Sequence, residues 1–173
     1  MWATLADPVV LDGAVEAVID RDFRQIMREL HTGLHVINAV VFQTFDGALV
    51  STAQIHADGS ARIGFDVEAT NSALKDLEPL VNEVIRKDHP VTASYVTEAE
   101  AYAERGLLRS RDVTPPPTDD GLIRVIEIEG LDRQACGGTH LASTGASRPI
   151  RILKVDNKGR GNRQMKVVLD GVT

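Results

Sequence analysis

Residues 21–45, RDFRQIMRELHTGLHVINAVVFQTF, carry apolar side chains at steps of three and four residues. This spacing predicts an amphipathic helix, because positions three and four apart lie on one helix face. Asp20 directly before the segment is a good N-cap residue, and Asp46-Gly47 after it ends the pattern. We therefore expect a long helix that ends at residues 42–45 and packs its apolar side against a core.

His31 and His35 lie four residues apart within this helix, so both imidazole rings can point at one spot. A second pair, Cys136 and His140, flanks a Gly-Gly-Thr sequence whose glycines let the backbone fold tightly. Three imidazoles and one thiolate form a ligand set suited to Zn2+. The two pairs therefore predict one metal site, and the alternative is a group of core histidines beside an inert buried thiol.

The composition of the 173 residues, 43% hydrophobic and 25% charged, is typical of a soluble globular domain with one core. A single cysteine cannot form an internal disulfide, which argues against an oxidising compartment. The N-terminal residues lack the basic start and apolar run of a signal peptide, and no apolar stretch is long enough to span a bilayer. We therefore expect a cytoplasmic protein without membrane association.

The formal net charge of -6 argues against an unselective nucleic-acid binder. Positive charge is nevertheless concentrated between residues 148 and 166, where seven basic residues accompany one acid, Asp156. The basic residues are Arg148, Arg151, Lys154, Lys158, Arg160, Arg163 and Lys166. This segment is either the solvated face of a hairpin or a strip that binds phosphate groups.

Residues 1–19 are expected to form an N-terminal arm or strand, and residues 20–173 to form one domain. Alternation, turn residues and helix signals in this domain predict a hairpin over 48–68, a helix over 71–87, a strand over 91–96, a short helix over 97–105, an exposed loop over 107–121, a strand over 122–128 and a hairpin over 150–169. The predicted fold class is α+β, with an antiparallel sheet packed against the long helix.

The segments Met27–His35 and Ala135–His140 resemble the second additional domain of alanyl-tRNA synthetases and the freestanding AlaX-type editing proteins related to it. The basic tail over 152–165 is similar to the same family, and the resemblance extends from Val15 to Leu169 in matching order. The editing domain of threonyl-tRNA synthetase shares both ligand pairs, but its turn usually lacks the Gly-Gly-Thr found here. The resemblance therefore favours the alanine branch.

The resemblance implies hydrolysis of alanine tRNA that is wrongly charged with serine or glycine. The ester between the amino acid and the terminal ribose would be cut, releasing free amino acid and intact tRNA. The sequence shows no ATP-binding loop, so the chain would act in trans on tRNA charged elsewhere. Larger AlaX relatives carry a β-barrel before the long helix, and residues 1–19 are too few for one, which predicts a minimal form.

Ester hydrolysis needs a nucleophilic water, a polarised carbonyl and stabilisation of the developing oxyanion. Zinc can provide the first two if a coordination position opens, although four protein ligands are typical of a structural site. The candidates for catalysis or for lining the pocket are Thr32, Gln134 and Thr139, and the candidates for substrate binding are Gly137, Gly138, Lys158, Arg160 and Arg163. The alternative for the two threonines and the glutamine is stabilisation of their own helix or turn.

Other functions stay open on the sequence alone. The chain could be a threonyl-type editing domain, or a non-catalytic zinc module that binds tRNA through the basic hairpin. A zinc hydrolase for a small aminoacyl ester is favoured by the acidic net charge. A rival mechanism is nucleophilic attack by Cys136, with His140 four residues away as its base. This mechanism gives no role to the histidine pair of the helix.

Overall fold

The computed structural model describes residues 13–14, 16, 18–109, 117–118 and 120–171 of the chain. Most of the arm predicted over 1–19 and part of the loop predicted over 107–121 lie outside the described residues. Within the described part, no helix has the length and apolarity needed to cross a lipid bilayer.

Helices and antiparallel strands make up the described chain. Helices α1 to α4 span Arg21–Thr44, Asn71–Lys75, Glu78–Arg86 and Glu98–Ala103. Strands β1 to β7 span Leu49–Ile55, Ser60–Asp66, Val91–Thr97, Leu122–Ile128, Asp132–Ala135, Ile150–Asn157 and Asn162–Leu169. One sheet has the strand order β1-β2-β7-β6 and a second has the order β3-β4-β5. The predicted α+β class, with antiparallel strands against a long helix, is confirmed, and the strands divide between two sheets.

Helix α1 begins and ends where the sequence predicts. The Asp20 side chain accepts a hydrogen bond from the Phe23 N–H at 2.9 Å, which satisfies a free amide at the helix N-terminus. The burial of the helix differs from the prediction. The sequence predicted one buried face, whereas every residue from Thr32 to Val41 is buried. Helix α1 therefore runs through the interior, where α3 and strands of both sheets pack around it.

The main core lies between α1 and the four-stranded sheet. Met165, Val167 and Leu169 are buried at alternate positions of β7, as the two-residue period of a strand requires. A smaller apolar cluster connects α4 to the three-stranded sheet, and its buried members are Ala101, Leu107, Ile123 and Val125. Ile128 at the end of β4 belongs to the main core, so the three-stranded sheet also packs against this core.

Two elements differ from the prediction. The helix predicted over 71–87 is two helices, α2 and α3, separated at Asp76-Leu77. Pro79 lies at the start of α3, and because proline has no N–H it cannot continue the hydrogen-bond ladder of α2. Strand β5 has no counterpart in the prediction, since its sequence Asp-Arg-Gln-Ala shows no apolar alternation.

Polar contacts fasten α1 to the C-terminal half of the chain. The Glu29 carboxylate accepts hydrogen bonds from the Arg148 backbone N–H at 3.1 Å and from its guanidinium at 2.8 Å. Further along the helix, Asn38 Nδ2 donates to Gln134 Oε1 on β5 at 3.0 Å. Because buried polar groups are costly to leave unpaired, these contacts fix the helix against β5 and against the residues directly before β6.

Candidate metal centre

The two predicted ligand pairs meet at one place. His31 and His35 project from α1, while Cys136 and His140 belong to the segment that follows β5. One ligand atom from each of the four residues lies within 4.8 Å of the others. The Cys136 sulfur is 3.4 Å from His31 Nε2 and 3.5 Å from His140 Nε2. We call these four residues the His/Cys cluster.

The two short sulfur–nitrogen separations in the His/Cys cluster fit a tetrahedral metal site. With a metal–nitrogen distance of about 2.1 Å and a metal–sulfur distance of about 2.3 Å, tetrahedral angles place nitrogen and sulfur about 3.6 Å apart. The centroids of the three imidazole rings lie between 4.1 and 5.1 Å from one another, so the three rings contact one another. The cluster can therefore hold a metal ion.

The second nitrogen of two imidazoles faces an oxygen that orients the ring. His31 Nδ1 lies 3.3 Å from the Thr139 carbonyl oxygen, and His140 Nδ1 lies 3.5 Å from Thr32 Oγ1. When the Nδ1 proton is directed at an oxygen, Nε2 carries the lone pair that a metal requires. The Thr32 hydroxyl also accepts a hydrogen bond from the Leu141 N–H at 3.0 Å, so it connects the helix to the turn.

His35 is the most buried member of the cluster, and a charge pair lies behind it. Its Nδ1 is 3.9 Å from Asp132 Oδ2. Asp132 in turn pairs with Arg109, whose Nη1 lies 2.6 Å from Asp132 Oδ1. The Arg109 guanidinium also stacks on Phe42, 4.0 Å from the ring centre, and these contacts hold it beside the carboxylate.

Burial keeps the three imidazoles neutral. It lowers the pKa of His31, an effect that the Thr139 carbonyl partly opposes, and it lowers the pKa of His140 to about 3. The pKa of His35 falls well below its ordinary value because of burial and the neighbouring positive charges. Neutral imidazole is the form that binds a metal, so the rings are ready for a cation.

Two arginines hold the turn that carries the thiol. Arg124 Nη1 donates to the carbonyl oxygens of Cys136 at 2.9 Å and Gly138 at 2.7 Å, and Arg28 Nε donates to that of His140 at 2.7 Å. Burial raises the pKa of the Cys136 thiol, although the Gly138 N–H and Arg124 oppose the rise.

Gly138 has no room for a side chain. A Cβ at this position would lie 2.1 Å from His31 Cε1 and 2.5 Å from His31 Nδ1. At Gly137, in contrast, a Cβ would have no neighbour within 4 Å. The close approach of the backbone to the His31 ring therefore requires glycine at only the second of the two positions.

A cavity of about 360 Å³ opens beside the His/Cys cluster. His31, His35 and Cys136 form part of its wall, and Leu34 and Ile63 are among the apolar side chains that complete it. Its volume falls in the range of small-molecule sites, and its mixture of apolar wall and few polar groups is typical of them.

A buried chain of polar side chains borders the cavity. Asn38 Nδ2 donates to Gln134 Oε1, and Gln134 Nε2 donates to Asp132 Oδ2 at 2.5 Å. Burial raises the pKa of Asp132, while the positive charge of Arg109 opposes the rise. The sequence analysis identified only the glutamine of this set. The spacing of Asn38, three residues after His35 and so near it on the helix surface, is the one local signal that points to it.

The predicted pocket residues fall into two groups. Gln134 and Gly137 line the cavity. Thr32 and Thr139 are not among the described residues that line it, and their oxygen atoms contact histidine rings instead. The Gly138 N–H donates to the cysteine sulfur at 3.5 Å, so this amide is engaged by the thiol rather than free for an oxyanion.

The basic hairpin formed by β6 and β7 is separate from the cavity wall. Lys158 and Arg160 are exposed at its tip. Arg163 is engaged within the fold, where its Nε donates to the Ala69 carbonyl oxygen at 2.9 Å and its Nη1 to that of Gly159 at 3.3 Å. None of these three basic residues belongs to the described lining of the cavity.

Known proteins resemble the chain over most of its length. Residues 123–164 match the family described as the threonyl and alanyl tRNA synthetase second additional domain. The chain is 37% identical over 157 residues to the alanyl-tRNA editing protein AlaX-M of Methanosarcina acetivorans, an alignment that covers 90% of this chain and 62% of that protein. The AlaX-M of Saccharolobus solfataricus is 33% identical over 151 residues, 87% of this chain and 62% of that protein.

A longer enzyme contains a similar segment. The alanine–tRNA ligase of Thermococcus kodakarensis is 34% identical over 146 residues, which are 82% of this chain but 15% of the ligase. The chain spans less than two thirds of the length of the AlaX-M proteins that it matches. The chain is therefore similar to the AlaX-M alanyl-tRNA editing proteins over most of its own length, and its residues 123–164 match the threonyl and alanyl tRNA synthetase second additional domain.

Proposed function

We propose that the chain is a zinc-dependent aminoacyl-tRNA deacylase that hydrolyses alanine tRNA wrongly charged with serine or glycine. The observation that supports this most strongly is the convergence of His31, His35, Cys136 and His140 at the edge of a cavity of about 360 Å³. The relatives are named alanyl-tRNA editing proteins, and their name supplies the substrate class of this proposal. We also propose the cytoplasm as the location of this activity, because the proposed substrate is a tRNA used in translation.

Zinc is the ion that we assign to the His/Cys cluster. Three neutral imidazoles and one sulfur ligand form a borderline-soft donor set, and a buried thiol gives up its proton when it binds a cation. When bound, zinc supplies Lewis-acid chemistry, polarising a carbonyl or lowering the pKa of a bound water. The Thr139 carbonyl lies behind His31 and the Thr32 hydroxyl behind His140, where they keep the orientation of the two rings, and the Asp132 carboxylate lies 3.9 Å from His35 Nδ1 without a hydrogen bond to it.

The proposed reaction adds a water oxygen to the ester carbonyl carbon and breaks the bond between that carbon and the ribose oxygen. The ribose oxygen receives a proton, so the products are free amino acid and tRNA with a free terminal hydroxyl. In this scheme the cavity encloses the amino acid, and the Gln134 side chain and the Gly137 N–H contact it. The apolar wall limits the number of waters that surround the ester.

For tRNA binding we propose the exposed tip of the basic hairpin. Lys158 and Arg160 are free to approach phosphate groups, whereas Arg163 shapes the turn that presents them. Since phosphate contacts release counterions, salt should weaken the binding of any tRNA, whatever amino acid it carries.

Thr32 is a positioning residue in this proposal, and its hydroxyl is the part that matters. Thr32→Val keeps the shape but removes the acceptor for the His140 ring and the Leu141 N–H. We expect zinc affinity and deacylation to fall together by about 10- to 100-fold. Zinc titration and initial rates measure the two effects, and Thr32→Ser should restore both. Wild-type zinc affinity in the valine variant would remove the threonine from this role.

A substrate panel tests the proposed function. The zinc-loaded protein is incubated separately with seryl-, glycyl- and alanyl-tRNA(Ala), and the remaining ester is measured over time. Selective loss of the seryl and glycyl esters supports editing of alanine tRNA. Binding of all three tRNAs without hydrolysis would instead indicate a non-catalytic zinc module, an outcome that a complete shell of four protein ligands also accommodates.

A further inference from the structure

Three basic side chains lie side by side on the face of the four-stranded sheet that points away from the main core. Arg62 on β2 is directly opposite Lys166 on β7, and Lys166 is directly opposite Lys154 on β6. The residues on either side of Arg62 and of Lys166 along their strands are buried in the main core, so these two side chains point outward. We call Arg62, Lys166 and Lys154 the basic row.

A β-bulge brings the third lysine into the basic row. The pairing of β6 with β7 shifts between Ile152 and Lys154, so Leu153 is an extra residue in β6. In a regular ladder Leu153 would be opposite Lys166, and the bulge places Lys154 there instead. The Lys154 side chain is 58% exposed. The irregularity of β6 therefore completes a line of three positive charges across three strands.

The basic row is unfavourable for the folded sheet by itself. Directly opposite residues of antiparallel strands have Cβ atoms about 4.5–5.5 Å apart, and like charges at this separation destabilise the sheet. In the described part of the chain, Lys154 is the one member of the row with an ion pair, which it makes with Asp156 at 2.8 Å. The Asp58 carboxylate near Lys166 already accepts hydrogen bonds from the Ser60 N–H at 2.9 Å and hydroxyl at 2.7 Å. A conflict of this kind with local stability is typical of a functional surface.

The basic row begins beside the cavity. Ala53 on β1 and Ile63 on β2 line the cavity and are paired with each other. The next pair along these strands is Gln54 and Arg62, so Arg62 is one position from the cavity wall and on the opposite face of the sheet. Because β1 is the edge strand of this sheet, a ligand that extends from the cavity can pass the edge and reach the row.

The dimensions and charge of the basic row match the phosphates of a nucleic acid. Three cations over two strand spacings cover about 10 Å, and one strand of a duplex presents about three phosphates over that length. Lysine and arginine contacts to phosphates fix the position of a nucleic acid without reading its sequence. The net charge of -6 repels a polyanion from the rest of the molecule, so a polyanion is held where positive charge is concentrated.

We propose that the basic row binds consecutive phosphates in the acceptor stem of the tRNA whose 3′ end enters the cavity. This inference rests on the proposed function, which supplies tRNA as the partner. The substrate is then held at two places, by its amino acid in the cavity and by its stem on the outer face of the sheet. The row belongs in part to the hairpin whose tip is proposed above for tRNA binding, and it adds β2 to that surface.

The double variant Arg62→Gln/Lys166→Gln tests this inference. Binding is measured over a range of salt concentrations with uncharged tRNA(Ala) and with a hairpin RNA that contains only its acceptor stem and CCA end. We expect Kd for both RNAs to rise by about 10-fold or more at about 0.1 M salt, and the slope of log K against log salt to fall by about two. Because the change removes opposed like charges, the melting temperature should not fall. On seryl-tRNA(Ala), KM should rise while kcat is unchanged.

Two further double variants are the controls. Arg62→Lys/Lys166→Arg exchanges the two cations without changing the charge, and it should bind both RNAs as the unmodified protein does. Lys75→Gln/Arg86→Gln removes one exposed lysine and one exposed arginine from α2 and α3, whose apolar side chains pack in the main core. This variant should leave the salt slope unchanged.

Three results would overturn the inference. The first is a wild-type Kd for the hairpin RNA in the folded Arg62→Gln/Lys166→Gln protein. The second is weaker binding of whole tRNA with unchanged binding of the hairpin RNA, because the row would then contact another part of the tRNA. The third is binding to phosphatidylserine vesicles that depends on the row while RNA binding does not, which would assign the row to a membrane surface.

Two other outcomes are also decisive. If the double variant does not fold, Arg62→Gln and Lys166→Gln are measured singly, and each should lower the salt slope by about one. A slope that is unchanged in both would contradict the inference. If the unmodified protein binds the hairpin RNA through the row but hydrolyses none of the charged tRNAs, it is the proposed function that fails.

Discussion

His35→Ala and Cys136→Ala are each expected to abolish stoichiometric zinc binding and to lower deacylation by about 100-fold or more. The four ligand atoms lie within 4.8 Å of one another, so each is needed to complete a four-ligand shell. Loss of His35 also leaves the buried Asp132 and Arg109 pair facing an empty space. Elemental analysis of the purified variants and initial rates on seryl-tRNA(Ala) measure the two effects.

The matched control for these variants is His89→Ala. His89 lies outside the cluster, and its Nδ1 is within hydrogen-bond distance of the Glu129 carbonyl oxygen at 2.9 Å. This change should leave zinc content and rate unchanged. Full activity in a demonstrably zinc-free Cys136→Ala protein would remove the metal from the mechanism. Loss of zinc with retained binding of tRNA would show that the ion is not needed for the contact with the nucleic acid.

Gly138→Ala should disrupt the same site by a different route. The new Cβ would lie 2.1 Å from His31 Cε1, a distance that forces the ring or the backbone to move. Overpacking of this kind costs about 1–3 kcal/mol. Because the displaced atoms belong to a predicted metal ligand, we expect lower zinc affinity, a lower melting temperature and at least about 10-fold slower deacylation.

Gly137→Ala is the control for this prediction, because a Cβ there meets nothing within 4 Å. Neither position has the positive φ that only glycine adopts readily, so the two variants differ in the clash and not in backbone strain. Thermal unfolding and zinc titration of both proteins make the comparison. Similar behaviour of the two alanine variants would contradict the steric explanation.

Local patterns in the sequence were sufficient for the elements that depend on neighbouring residues. The spacing of apolar residues and the Asp20 cap are enough to predict helix α1. Both signals depend on residues that are only a few positions apart. The hairpins follow from alternation and turn residues for the same reason. The break between α2 and α3 was missed, although Pro79 was visible, because the apolar stripe continues across it.

The sequence by itself determined which residues can form the His/Cys cluster, because a four-residue spacing on a helix and a glycine-rich turn each bring two side chains together locally. Only the tertiary structure decided that both pairs meet, that residues 32–41 of α1 are buried on all sides, and that Asn38 lies against Gln134. Asn38 and Gln134 are separated by 96 positions, and no local pattern records a contact over that distance. This contact forms because β5 packs against the helix. That packing depends on the apolar surface that the whole core buries, and not on a few neighbouring residues.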